Sequence, residues 1–133
     1  MAKVDAQAPA QKSQLDNTPI SGQFTINQNE PTGGINFNSF NDLKDRLVAT
    51  GVNGPVMVDV VGNNAVYEEQ LTFLSVPGAS QTNTITINGN GNILQFLSTN
   101  SNERATLKLN GAKFFTFNNL IIKALGELSG EYG

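Results

Sequence analysis

The side chains with the greatest capacity for chemistry lie in one segment near the middle of the chain. Tyr67, Glu68 and Glu69 are consecutive, and Asp59 precedes them. Two carboxylates that face one substrate can act as an acid and base pair. Consecutive residues of a strand point to opposite faces, so Glu68 and Glu69 do not form such a pair. We therefore expect no catalytic constellation and treat Tyr67, Glu69 and Tyr132 as candidate contacts with a glycan or a partner chain. For both tyrosines the alternative is an ordinary packing or surface role.

Composition excludes several classes of site. The 133 residues include no Cys, no His and no Trp, which removes thiolate nucleophiles, Ser-His triads and zinc ligated by His or Cys. The formal net charge of −3 is opposite to the cationic surface that nucleic acid requires. No apolar run approaches the ~20 residues of a membrane-spanning helix. We expect no cofactor, no nucleic-acid partner and no insertion into a membrane.

A run of alternating asparagines is the strongest candidate for a metal site. Asn88, Asn90 and Asn92 alternate with Gly89 and Gly91, and their side-chain carbonyls are of the ligand type that Ca²⁺ accepts. No Asp accompanies them, and neutral amides alone bind calcium weakly. The pattern is more typical of a turn with local hydrogen bonds from side chains to the backbone. We therefore predict a turn and no metal.

The spacing of apolar residues predicts one helix within residues 36–51. Asn38 or Ser39 supplies its N-cap, and Gly51 suits the left-handed residue that ends a helix. The apolar residues recur mostly at spacings of three and four, which places them on one face. They are Phe37, Phe40, Leu43, Leu47 and Val48.

Short β-prone runs separated mostly by Gly, Asn and Ser follow this helix. They lie at 56–61, 71–74, 84–87, 93–97, 106–109, 114–117 and 120–122. Alternation predicts that Val56, Val58 and Val60 share one face, and that Phe115 and Phe117 share a core face.

An internal repeat indicates how these runs are arranged. Thr-Ile-Thr-Ile-Asn-Gly at 84–89 recurs as Thr-Leu-Lys-Leu-Asn-Gly at 106–111. The two segments are offset by 22 residues. A repeat with this period and without a helix is typical of one coil of a parallel β-helix. The alternative is a β-hairpin at Asn88-Gly89 in an antiparallel sandwich.

The order of segments resembles the opening of pectin-lyase-like right-handed parallel β-helix proteins. An amphipathic helix at 40–48 is followed by Gly-Pro-Val-x-Val-x-Val at 54–60 and by Tyr-Glu-Glu-Gln-Leu-Thr-Phe at 67–73. The resemblance implies an all-β fold, a right-handed parallel β-helix (solenoid) of about three to four coils with an N-terminal capping α-helix. It also implies that Glu69 bonds backbone amides at the edge of the first coil.

The predicted organisation is a single β-helix segment at 19–133 after a tail at 1–18. The tail is interpreted as a disordered leader or as the mature start of a secreted chain. Within the segment we expect the capping helix at 36–51, coils at 54–123 and a C-terminal tail at 124–133. No second helical cap is predicted, so the last coil should expose unpaired backbone and apolar side chains.

The resemblance is closest to secreted or surface proteins of Bacteroidetes-type bacteria. It implies a non-catalytic structural or interaction module of an exported bacterial protein, located outside the cell or on its surface. Such a module would self-associate through its open coil edge or stack on further coils of a longer chain. The alternatives are the N-terminal cap region of a carbohydrate-active β-helix enzyme (polysaccharide lyase or hydrolase) and a stand-alone glycan-binding module. An extracellular polysaccharide is the second predicted partner.

Overall fold

The structure is a computed structural model that describes residues 18–126. These residues form one helix and ten strands. The elements are β1 (Ile20–Ile26), β2 (Asn36–Phe37), α1 (Phe40–Thr50), β3 (Val52–Val60), β4 (Val66–Glu68), β5 (Leu71–Phe73), β6 (Ile85–Asn88), β7 (Ile93–Leu97), β8 (Leu107–Leu109), β9 (Phe115–Asn118) and β10 (Ile121–Leu125). Residues 1–17 and 127–133 lie outside the described part, and with them lie nearly all of the predicted N-terminal tail and Tyr132.

Helix α1 lies within the predicted range and has Ser39, one of the two predicted N-cap residues, and Gly51 at its ends. Ser39 is the N-cap, and its side chain accepts a hydrogen bond from the Asp42 amide. Gly51 ends the helix with a φ of 74°. A Cβ at this position would lie 2.3 Å from the carbonyl oxygen of Pro77. Both the left-handed backbone and this close approach require glycine.

The apolar face of α1 is narrower than predicted. Phe40, Leu43 and Leu47 are buried, whereas Val48 is 37% exposed. Asn36 and Phe37 form the short strand β2 and not a first helical turn. The spacing of apolar residues was sufficient to locate the helix, but β-pairing with β1 takes up the residues before the N-cap.

The strands of the described chain form three parallel sheets. This confirms the expected all-β class. Sheet A has the order β2-β1-β3-β6-β9, sheet B is β4-β7-β10, and sheet C is β5-β8. The paired strands named in these orders run parallel. From β3 to β7, each strand pairs with the strand three places further along the chain. From β3 onward, consecutive strands therefore belong to different sheets.

The repeat seen in the sequence does not correspond to stacked strands, and this part of the prediction is wrong. The segment at 84–89 contains β6, which pairs with β9, whereas the segment at 106–111 contains β8, which pairs with β5. Stacked residues are further apart in the chain. Asp59 and Asn88 are separated by 29 positions, and Asn88 and Asn118 by 30. The two segments look alike because each ends a short strand before a glycine, although the strands lie in different sheets.

The core lies between the three sheets, and its strands alternate as predicted. In β3, Val56, Val58 and Val60 are buried, while Met57 faces solvent. Phe115 and Phe117 pack against buried Phe73, with ring centroids 4.7 and 5.9 Å away. The two phenylalanines share one face as predicted, but they are half-buried at the border of the core and not enclosed in it.

Candidate functional site

Tyr67 lies in the core and is not available as a surface contact. Its side chain is 1% exposed, and its ring meets Phe40 of α1 edge-on at 5.3 Å. The hydroxyl lies 2.7 Å from the carbonyl oxygen of Val61 and 3.1 Å from that of Ile26. Burial raises the pKa of the phenol above its usual value. This corrects the expectation of an exposed contact, and the packing alternative describes Tyr67.

Glu69 caps the N-terminal end of helix α1 from outside the helix. One carboxylate oxygen accepts a hydrogen bond from the Phe40 amide at 2.9 Å. The other accepts from the backbone and the side chain of Asn41, at 3.0 and 2.8 Å. These amides have no partner inside the helix, and the helix dipole favours a negative charge beside them. The role implied by the family resemblance, a carboxylate bound to backbone amides, is confirmed.

We expect Glu69→Ala to lower the free energy of unfolding by about 1–2 kcal/mol, as loss of a helix cap does. Glu68→Ala is the matched control, because Glu68 is an exposed neighbour that accepts one hydrogen bond, from Gln95. That change should cost less than about 0.5 kcal/mol. Urea unfolding followed by circular dichroism measures both values. Equal losses in the two variants would contradict a capping role.

The carboxylates of this segment do not converge on a shared site. Glu69 is directed to α1, Glu68 bonds Gln95 on sheet B, and Asp59 accepts from Asn88 on sheet A. Among residues 18–126, no group of three or more His, Cys, Asp or Glu side chains is arranged to hold a metal ion. No helix in the same range is long and apolar enough to cross a membrane.

The run of alternating asparagines contains the predicted turn, with hydrogen bonds from side chains to the backbone. Asn92 is fully buried, and its side-chain oxygen accepts from the Ala65 amide at 2.8 Å. Its amide group donates to the carbonyls of Val60 and Gly89 at 3.1 and 2.9 Å. Asn90 also donates to the Val60 carbonyl. Both polar atoms of Asn92 therefore bond the backbone, and they join the turn after β6 to the end of β3 and to the residue before β4.

The surface best placed to bind another molecule is the side of the sheets formed by β8, β9 and β10, which we call the coil edge. Each of these strands is the last of its sheet, and within residues 18–126 no strand pairs with its outer side. At this edge, side chains that continue the interior rows are no longer covered by a further strand of the described chain. Buried Phe73 pairs with Leu109, which is 52% exposed. Buried Ile85, Ile87 and Leu94 pair likewise with half-buried Phe115, Phe117 and Ile122.

The opposite side of the sheets is covered. Helix α1 packs against β1, β2 and β5, and its buried residues Phe40, Leu43 and Leu47 face the core. Contact between Phe40 and Tyr67 extends this cover to β4. The two ends of the stack therefore differ, one closed by a helix and the other presenting interior side chains.

Phe114 adds an exposed aromatic ring beside the coil edge. Alternation at 114–117 predicts a strand with Phe114 on the face opposite Phe115 and Phe117, but a φ of 66° places Phe114 in the turn before β9. This conformation is rare for a bulky residue. The ring is 41% exposed.

Comparisons with protein-family models, with curated proteins and with solved structures gave no match.

Proposed function

We propose that sheets A, B and C are the three faces of a right-handed parallel β-helix whose first coil is closed by α1. The order of strands supports this architecture. β3, β4 and β5 belong to sheets A, B and C in that order, and β6, β7 and β8 repeat the order. β9 and β10 begin a further passage. The resemblance to pectin-lyase-like proteins, carried by the helix and the segments at 54–60 and 67–73, supports the same proposal.

The function that the geometry supports best is that of a non-catalytic structural and interaction module. The observation that carries it is the loss of cover along interior rows, from buried Phe73 to exposed Leu109 and from buried Ile87 to half-buried Phe117. Apolar interior positions beside unpaired strand edges form a template for another strand. The proposed partner is another β-coil, supplied by a second copy of this chain or by further coils of a longer chain.

The location of this module follows from the family resemblance. The sequence resembles secreted and surface β-helix proteins, so we propose that the module lies outside the cell or on its surface. An extracellular polysaccharide is a secondary ligand class. A catalytic role is not proposed, because Asp59, Glu68 and Glu69 are directed to different sheets and to the helix.

Self-association is tested by light scattering after size-exclusion chromatography over a range of concentrations. We expect a mass above that of the monomer for the wild type. Leu109→Lys should lower this mass, because a new coil would bury an unpaired charge. The variant should fold normally, since Leu109 is half exposed.

Ile35→Lys is the matched control. Ile35 is an exposed apolar residue before β2, away from the coil edge, and this variant should associate like the wild type. A wild-type monomer up to about 1 mM, the range of the weakest specific complexes, would overturn self-association through the coil edge. Equal effects of the two lysine variants would show that the edge is not the contact.

A further inference from the structure

A second surface, the outer face of sheet B, has a pattern unlike that of a solvent-facing sheet. The row across β4, β7 and β10 formed by Val66, Ile93 and Ile121 is apolar. Val66 and Ile121 are 39% and 43% exposed. A second outward row, Leu97 and Leu125, is also apolar. The solvent-facing positions of a sheet are ordinarily polar, yet among residues 18–126 these two apolar rows remain exposed or half-exposed.

A polar row lies between the two apolar rows. Glu68, Gln95 and Lys123 are neighbours in register on β4, β7 and β10. Glu68 accepts a hydrogen bond from Gln95. Within residues 18–126, no carboxylate pairs with the ammonium group of Lys123. The row therefore carries a negative charge on one side, a positive charge on the other and an amide at its centre.

This pattern is complementary to itself under one symmetry operation. When two such faces meet about a two-fold axis that runs along β7, β4 of one copy lies over β10 of the other. Glu68 then faces the partner's Lys123, Gln95 faces its own equivalent, and apolar rows meet apolar rows. A two-fold axis across the strands would instead place Glu68 over Glu68. Closed two-fold dimers are the commonest protein assemblies, and each uses one patch twice.

We propose that the outer face of sheet B is a homodimer interface, with the two-fold axis along β7. It is separate from the coil edge and does not depend on the proposed stacking of coils. The face is small, about 15 by 17 Å from the spacing of strands and residues. A standard interface buries about 800 Å² on each partner. We therefore expect a weak dimer, with a Kd of about 0.1–1 mM.

Charge reversal tests the interface and its symmetry together. The experiment is sedimentation velocity between about 20 µM and 1 mM, which brackets the expected Kd. All variants carry Leu109→Lys, which suppresses association through the coil edge. The dimer contains two symmetry-related pairs of Glu68 with Lys123. Glu68→Lys alone makes both pairs repulsive and should weaken the dimer about 10-fold or more. Lys123→Glu alone should do the same.

The combination of Glu68→Lys and Lys123→Glu should restore the starting affinity to within about threefold, because the pairs are re-formed with their signs exchanged. Glu30→Lys and Lys113→Glu are matched controls, since they make the same charge changes at exposed positions in loops. Both should leave the dimer unchanged.

The outcomes separate this interface from the coil edge. Absence of association in the Leu109→Lys background overturns the sheet B dimer, whatever the wild type does. Failure of the double variant to restore association overturns the proposed symmetry. An unaltered wild-type mass after Leu109→Lys, combined with loss of association in Glu68→Lys, would assign all self-association to sheet B and contradict the coil edge.

Discussion

Phe73→Ala is expected to lower the free energy of unfolding by about 3–5 kcal/mol, as removal of a buried phenylalanine does. Phe73 is fully buried and packs against Phe115 and Phe117. It joins sheet C to β9, the last strand of sheet A. Its loss leaves a cavity beneath residues that are themselves only half covered. Denaturant unfolding at equilibrium measures the change.

Phe114→Ala is the matched control for this prediction. It removes the same side chain from an exposed position, where substitution away from the core costs less than about 0.5 kcal/mol. A loss below about 1 kcal/mol for Phe73→Ala would be less than the burial of one such ring contributes. That result would contradict the placement of Phe73 between the sheets.

Asn92→Ala is expected to cost about 1–3 kcal/mol, because it leaves the Ala65 amide without its hydrogen-bond partner. The Ala65 amide loses the side-chain oxygen of Asn92. The Gly89 carbonyl keeps the backbone amide of residue 92 as a donor, and the Val60 carbonyl keeps the side chain of Asn90. Each unsatisfied buried group costs roughly 1–3 kcal/mol. The same unfolding experiment measures this loss.

Asn90→Gly serves as the comparison for Asn92. Asn90 is exposed, has a φ of 55° and donates only to Val60. Glycine accepts this left-handed backbone, so the change should cost under about 1 kcal/mol. If both variants lost the same stability, the turn would not depend on the buried amide.

The association of the chain is predicted to use two surfaces of different character. Within residues 18–126, the coil edge presents unpaired strand backbone and interior side chains, so a strand can add to it. The outer face of sheet B presents side chains only, and its charged row restricts the orientation of a partner. A chain that uses both surfaces would form assemblies larger than a dimer.

Local features of this protein were readable from its residues. Asn38 or Ser39 was predicted to begin the helix and Gly51 to end it, and the structure has Ser39 and Gly51 there. Alternation in 56–60 predicted which side of β3 is buried. Such features depend on hydrogen bonds and side-chain directions within a few residues. Strand β7 was predicted with the bounds that the structure gives it. β4, only three residues long, gave no comparable run of apolar residues.

Features that depend on distant residues were not readable in the same way. The apparent repeat matched β6 to β8, although pairing joins β6 to β9. Strand ends before glycine look alike in any sheet, because the turn imposes the same residue types on each. Tyr67 was a candidate surface contact, yet the fold encloses it between α1 and the carbonyls of Ile26 and Val61.

The sequence by itself determined the β-rich class, the position of the one described helix and the absence of Cys and His chemistry. It also indicated, through a family resemblance, that Glu69 binds backbone amides. Only the tertiary structure decided which strands are neighbours, that Asn92 is a buried link, and that Glu68, Gln95 and Lys123 form one row. The physical reason is that register brings together residues some thirty positions apart, and no local pattern encodes that distance.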